Sequence, residues 1–194
     1  VTSQIDEFTV AAIQMVSTPR VAENLAVAAD LIAEAVAGGA RLVALPEYFP
    51  LIGATDVQRL DARESEQGGP IQSWLAEMAA KHSIYLFGGS IPLRANTADK
   101  MLNTMLVFNP EGQPIGRYDK IHLFSFEQGS EKYCEADIIE AGPPKPVVVD
   151  TALCRVGLSI CYDLRFPELY RAMIGQRGLA PDLILVPAAF TETT

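Results

Sequence analysis

Three residues pair reactive side chains with places where the chain leaves a strand. Cys161 follows the apolar run 156–160 and stands ahead of Phe166-Pro167-Glu168, which opens a helix with proline in its first turn. A strand-to-helix corner presents a side chain at the sheet edge and exposes backbone N–H groups that can hold a developing oxyanion. The positive end of the helix would favour the thiolate. A buried structural cysteine is the other fate open to that position.

A nucleophilic thiol needs a base, and histidine is the usual choice. The sequence holds two histidines. His82 closes a helical stretch, where capping suits it better than catalysis. His122 lies two places from Lys120, whose charge would oppose a second cation. A Cys–His protease is therefore poorly supported. The alternative is a carboxylate whose pKa is raised by desolvation or a like charge. Glu47 suits that role: it follows the apolar run 41–45 and Pro46, and precedes Tyr48, Phe49, Pro50 and Leu51. Such a carboxylate is either exposed at a turn or buried for a reason. Lys120 likewise closes a strand and precedes Ile121, Leu123 and Phe124. Beside a thiol and a carboxylate, an ammonium can hold both and stabilise a tetrahedral intermediate; otherwise it is a solvated strand-end lysine.

The elements that must position these residues alternate. Residues 8–15 read as a short buried strand, and 24–37 as a helix with Leu25, Ala28, Ile32, Ala35 and Val36 near one face, stopped by Gly38-Gly39. A strand at 41–45 and a polar loop at 61–70 follow. A second helix over 71–82 carries Ile71, Trp74, Leu75, Met78 and Ala79 on its apolar side. Strands are expected at 84–88, 102–108 and 115–118, the last two joined by the turn Asn109-Pro110-Glu111-Gly112. Residues 124–142 form a long polar connection with little periodicity, of the kind that is often functional. Strands at 147–149 and 155–160, the helix from Pro167 and a strand at 182–186 complete the series. The pattern is that of an α/β protein with helices covering sheet faces. Residues 40–49 and 180–190 share the shape of a strand, a proline, two residues and a phenylalanine. This weak echo is compatible with two similar halves packed as two sheets, and equally with chance.

Bulk properties narrow the classes. The chain has 194 residues, 49% of them hydrophobic, enough for one domain over 1–194 with a real core. A net charge of −9 argues against a nucleic-acid binder and lends no support to adhesion on an anionic membrane. Cys134, Cys154 and Cys161 are odd in number with no metal-like spacing, so no metal site or disulfide framework is expected and a reducing, cytoplasmic setting is. The polar start, 1–7, is unlike a targeting signal, and no run is long and apolar enough for a membrane helix.

Leu45-Pro46-Glu47-Tyr48-Phe49, Tyr118-Asp119-Lys120-Ile121-His122-Leu123-Phe124 and the run from Ser159 through Cys161 to Arg171 (SICYDLRFPELYR) together resemble the nitrilase superfamily of carbon–nitrogen hydrolases. The three motifs occur in family order, each at a strand end, and the resemblance extends from Phe8 to Thr191. It implies a four-layer α-β-β-α sandwich in which Glu47 is the general base, Lys120 the stabilising cation and Cys161 the nucleophile, with the Tyr162 N–H completing the oxyanion site. It also implies a second glutamate, in a segment of the form Glu, six residues, Gly. Glu135 to Gly142 fits, with Glu127 and Glu131 as alternatives in the same loop. No cofactor is implied. The residues after Cys161 look like the branch of ω-amidases and deaminated-glutathione amidases, acting on small amide substrates.

Arg165 could then pair with a substrate carboxylate, or else form a structural ion pair with Glu168 or Asp163. Tyr48 and Tyr162 are further candidates for substrate contact. Two rival classes stay open: a nitrilase or N-carbamoyl amino acid hydrolase with the same triad, and a non-catalytic scaffold. The family continues past Pro187 into further strands, so an incomplete second sheet is expected, in a fragment or in a short protein completed by a partner chain. Relatives associate through outer helices, which implies a homo-oligomer, with the helix from Pro167 (Leu169, Tyr170, Met173) as the expected contact.

Overall fold

A computed structural model describes residues 7–128, 131–175 and 180–190. The terminal stretches 1–6 and 191–194, and the side chain of Glu131, lie outside the described residues. The first sheet has six strands. β1 (Thr9–Ala12), β2 (Ala40–Ala44) and β3 (Tyr85–Phe87) are parallel, and β5 (Met101–Phe108) runs antiparallel beside β3. β4 (Ile91–Arg94) continues the line of β3 along the same edge of β5, and β6 (Pro114–Asp119) pairs with the other edge. The hairpin expected at Asn109–Gly112 is the β5–β6 turn.

Helices α1 (Val21–Ala37) and α3 (Pro70–His82) cover one face of this sheet. Ala28, Ile32, Ile71, Leu75 and Ala79 pack there against Val43, Leu86, Leu93 and Leu106. Each isoleucine, leucine or valine side chain removed from water there contributes roughly 1.5–3 kcal/mol. The other face meets a second sheet of β9 (Val147–Asp150), β10 (Arg155–Leu158) and β11 (Leu183–Leu185), whose order is β11-β10-β9. Leu42, Phe87, Met105 and Val107 pack against Val149, Val156 and Leu158 between the sheets. Helix α4 (Pro167–Ile174) lies on the outer side of β10, where Met173 sits over Gly157. The layers are therefore α-β-β-α.

Several expectations change. The first strand is not buried: β1 is an edge strand, paired on one side to β2, and Val10 is 40% exposed. Leu169 and Met173 are buried in the chain's own core, so they cannot form a contact with another subunit. The stretch 124–142 is not structureless. It holds the antiparallel pair β7 (Ser125–Gln128) and β8 (Glu131–Cys134), then a single 3-10 turn at Glu135–Asp137. Helix α2 (Asp56–Asp61) starts at a capping box between Thr55 and Gln58. Strand β4 contains Pro92, which masks it in the sequence. Among the described residues no helix is long and apolar enough to cross a membrane.

Candidate active site

Glu47, Lys120, Glu135 and Cys161 each follow the C-terminal end of a strand, respectively β2, β6, β8 and β10, and all four line one cavity of about 320 Å³. Ligands of open α/β sheets bind outside those strand ends. Glu47 is 3% exposed, Lys120 1% and Glu135 3%, so both sequence alternatives of a solvated turn carboxylate and a solvated lysine are set aside. The Lys120 ammonium donates to Glu47 Oε1 at 2.9 Å, and lies 3.0 and 2.9 Å from the two oxygens of Glu135. Glu135 also accepts from the Tyr48 hydroxyl at 2.9 Å and the Phe124 N–H at 2.8 Å. Of the alternatives in that loop, Glu127 is exposed.

Two buried carboxylates share one ammonium, and this sets the electrostatics. Burial works against the charge on Lys120, but Glu47 and Glu135 outweigh it and hold the ammonium above the ordinary lysine range. Burial pushes Glu47 above the usual carboxylate range, Lys120 opposes this and the charge of Glu135 adds to it. The Cys161 thiol faces the Glu47 carboxylate and is pushed up to about 12, by burial first and by Glu47 second. The expected thiolate stabilised by a helix start is not found. Cys161 opens a single 3-10 turn, Cys161–Arg165, and α4 begins only at Pro167. The thiol therefore rests protonated beside a group suited to remove its proton.

The backbone around the site is strained in two places. Cys161 and Tyr48 both occupy the left-handed region, at φ of 48° and 53°, which costs a non-glycine residue about 1–2 kcal/mol. At Cys161 the surroundings enforce it. Its N–H donates to Pro187 O at 2.9 Å, and the side chain of Asp163 accepts the Ile160 N–H at 2.9 Å. Asp163 is fully buried and also accepts the Tyr118 hydroxyl (2.7 Å), the His122 N–H (3.0 Å) and His122 Nδ1–H (2.7 Å). One carboxylate thus ties the Cys161 turn to residues two before and two after Lys120. His122, stacked 3.6 Å from Phe166, is held by this contact and does not line the cavity.

Two further groups escaped the sequence reading. Asn103 Nδ2 donates to Glu47 Oε1 at 3.0 Å, and the Ala189 N–H donates to Glu47 Oε2 at 2.9 Å. Asn103 had a local signal, a polar pair with Thr104 inside an otherwise apolar strand; Ala189 had none. Gly142 brings its loop so close to β6 that its N–H reaches Lys120 O at 2.9 Å, while a Cβ there would lie 2.2 Å from Asp119 O. The two echoing segments sit in different sheets, and their ends meet where Ala189 caps Glu47.

Of the expected substrate contacts, Tyr162 and Arg165 line the cavity, and Arg165 is exposed. Its proposed ion-pair partners are engaged elsewhere: Asp163 with His122 and Glu168 with Arg171 at 3.6 Å. Tyr48 also lines the cavity, but its hydroxyl is committed to Glu135.

Residues 9–179 match the carbon-nitrogen hydrolase family. The chain is 38% identical over 187 residues to a deaminated glutathione amidase of Synechocystis, covering 95% of this chain and 67% of that protein. It is 38% identical over 197 residues to human omega-amidase NIT2, covering 96% of this chain and 65% of that protein. The crystal structure of Saccharomyces cerevisiae Nit3, a member of branch 10 of the nitrilase superfamily, superposes with a TM-score of 0.76 at 32% identity, covering 91% of this chain and 62% of that one. The chain thus spans about two thirds of the length of these relatives. With the family match running through most of its length, the chain belongs to the carbon–nitrogen hydrolases of the nitrilase superfamily.

Proposed function

We propose that the chain hydrolyses the C–N bond of small, carboxylate-bearing amides through a thioester on Cys161. The observation that carries this reading is the buried contact set of Lys120 between Glu47 and Glu135, with the Cys161 thiol facing Glu47. Glu47, made more basic than usual by burial, takes the thiol proton as sulfur attacks the amide carbon. The carbonyl electrons move onto oxygen, where the Lys120 ammonium and the Tyr162 N–H stabilise the oxyanion. The intermediate collapses, Glu47 returns the proton to the departing nitrogen, and ammonia or an amine leaves. Glu47 then deprotonates a water that attacks the thioester, and the expelled thiolate recovers the proton. Glu135 takes no proton; it holds Lys120 in place, and Tyr48 holds Glu135.

The three cysteines are unpaired, which suits a reducing, cytoplasmic setting. The assembly is a homo-oligomer using surface residues such as Leu164 and Ile174, which are 52% and 59% exposed, rather than Leu169 and Met173; light scattering tests this. For the reaction, ammonia release is followed over ω-amides of short dicarboxylic acids, aliphatic nitriles and N-carbamoyl amino acids. Turnover of the ω-amides, abolished by Cys161→Ala, is expected. Preference for a nitrile or ureido acid would move the chain to another branch, and full turnover by Cys161→Ala would refute the mechanism.

A further inference from the structure

We propose that Arg59, on helix α2, is a specificity-determining residue that binds the carboxylate of the substrate at the mouth of the cavity, opposite in charge to the catalytic floor. This rests on the amidase reading above and names a residue that reading does not use. The floor carries two carboxylates, Glu47 and Glu135, against one ammonium, Lys120, and all three side chains are 4% exposed or less. A monoanionic substrate is repelled by that floor unless cations further out receive its charge. Among the described residues the cavity lining supplies two, Arg59 and Arg165.

Arg59 is the more fixed of the pair. Its guanidinium sits 4.9 Å from the centroid of the Tyr48 ring, and its side chain is 11% exposed, whereas Arg165 is an exposed residue. Among the described residues its neighbours do not neutralise it. Asp56 lies 3.7 Å away on a side chain that is 65% exposed, a loose surface pair that contributes little. The Tyr133 hydroxyl accepts at 3.5 Å, the outer limit of a hydrogen bond. A guanidinium resting on an aromatic face keeps its in-plane donors for a planar carboxylate. Tyr48 connects the two ends of the site, since its ring carries Arg59 and its hydroxyl carries Glu135. The arrangement orients an ω-amide with its neutral amide at Cys161 and its carboxylate at Arg59, and a small cavity favours a short spacer between them.

The test compares succinamate with its neutral isostere 4-oxopentanamide in the wild type, Arg59→Gln and Arg59→Lys. In Arg59→Gln the KM for succinamate is expected to rise about 10- to 100-fold, the loss of one charge-assisted contact, with kcat little changed. The kcat/KM for the neutral amide stays within about threefold, and Arg59→Lys recovers part of the succinamate affinity. Equal losses on both amides would overturn the proposal by making Arg59 only a support for Tyr48; so would an unchanged KM for succinamate. Calorimetric binding of succinamate to Cys161→Ala, with and without Arg59→Gln, reads the same contact without turnover. A wild type that turns over neither amide would count against the amidase reading, and the binding arm would still decide on Arg59: binding weakened by Arg59→Gln supports it, and binding absent or unchanged overturns it.

Discussion

Replacing Glu47 by glutamine should move turnover and thiol reactivity in opposite directions. The substitution keeps the shape of the side chain and leaves Lys120 paired with Glu135, while setting an amide N–H₂ against one of the donors that Glu47 accepts. It removes the proton acceptor that faces Cys161, and a general base is worth about 10²–10⁴ in rate. It also removes the negative charge that, after burial, does most to hold the thiol up at about 12. With that charge gone the thiol should become more acidic by roughly one to two units. Each unit yields about tenfold more thiolate and costs about threefold in intrinsic nucleophilicity, a net gain of about threefold. Alkylation of Cys161 by iodoacetamide at pH 9, followed by intact mass, should therefore be about 3- to 10-fold faster in Glu47→Gln than in the wild type, while ammonia release falls at least a hundredfold. General damage to the site would slow both. Turnover within about fivefold of wild type would exclude Glu47 as the base, and alkylation unchanged or slower would show that its carboxylate does not press on the thiol.

Four other outcomes follow from the same geometry. The acid limb of kcat/KM should lie above the ordinary glutamate value, because burial raises Glu47 and activity needs its ionised form; activity is present above the raised pKa and lost as pH falls through it. Because the folded-state pKa of Lys120 is raised, its contribution to stability is fully present below the ordinary lysine value and is lost only as pH rises beyond it. Urea midpoints should thus hold steady across neutral and mildly alkaline pH as far as this group is concerned. Asp163→Asn places an amide N–H₂ against donors that the carboxylate accepts, so the loss should approach about 3–5 kcal/mol, read as a lower urea midpoint together with a fall in kcat. Gly142→Ala forces a Cβ onto the carbonyl of Asp119 next to Lys120; a cost of about 1–3 kcal/mol is expected by denaturation, and an unchanged midpoint would mean the loop can give way freely.

Local sequence determined a good deal about this protein. The period-two and period-3.6 runs gave β2, β5, β6, β10, α1 and α3 within a few residues. They also placed Glu47, Lys120 and Cys161 just past strand ends, because strand termination is a local matter of proline, turn residues and a break in the apolar run. Helix α2 had its Thr55–Gln58 capping box in plain sight, but Pro92 hid β4 and the polar alternation of β7 and β8 hid the strands that deliver Glu135.

Tertiary structure alone decided the charge states and the aim of the reactive groups. Glu47 could be read from sequence as exposed or buried; it is buried because Ala189, 142 residues away, and Asn103, 56 away, supply its hydrogen bonds. Cys161 was expected to be a thiolate near a helix start, yet it is held protonated, since burial and a carboxylate facing it outweigh one short turn of N–H groups. Side-chain types and the ends of elements are written in neighbouring residues. A pKa is set by every charge and by the depth of burial at one point in space, and only the packed sheets bring those together.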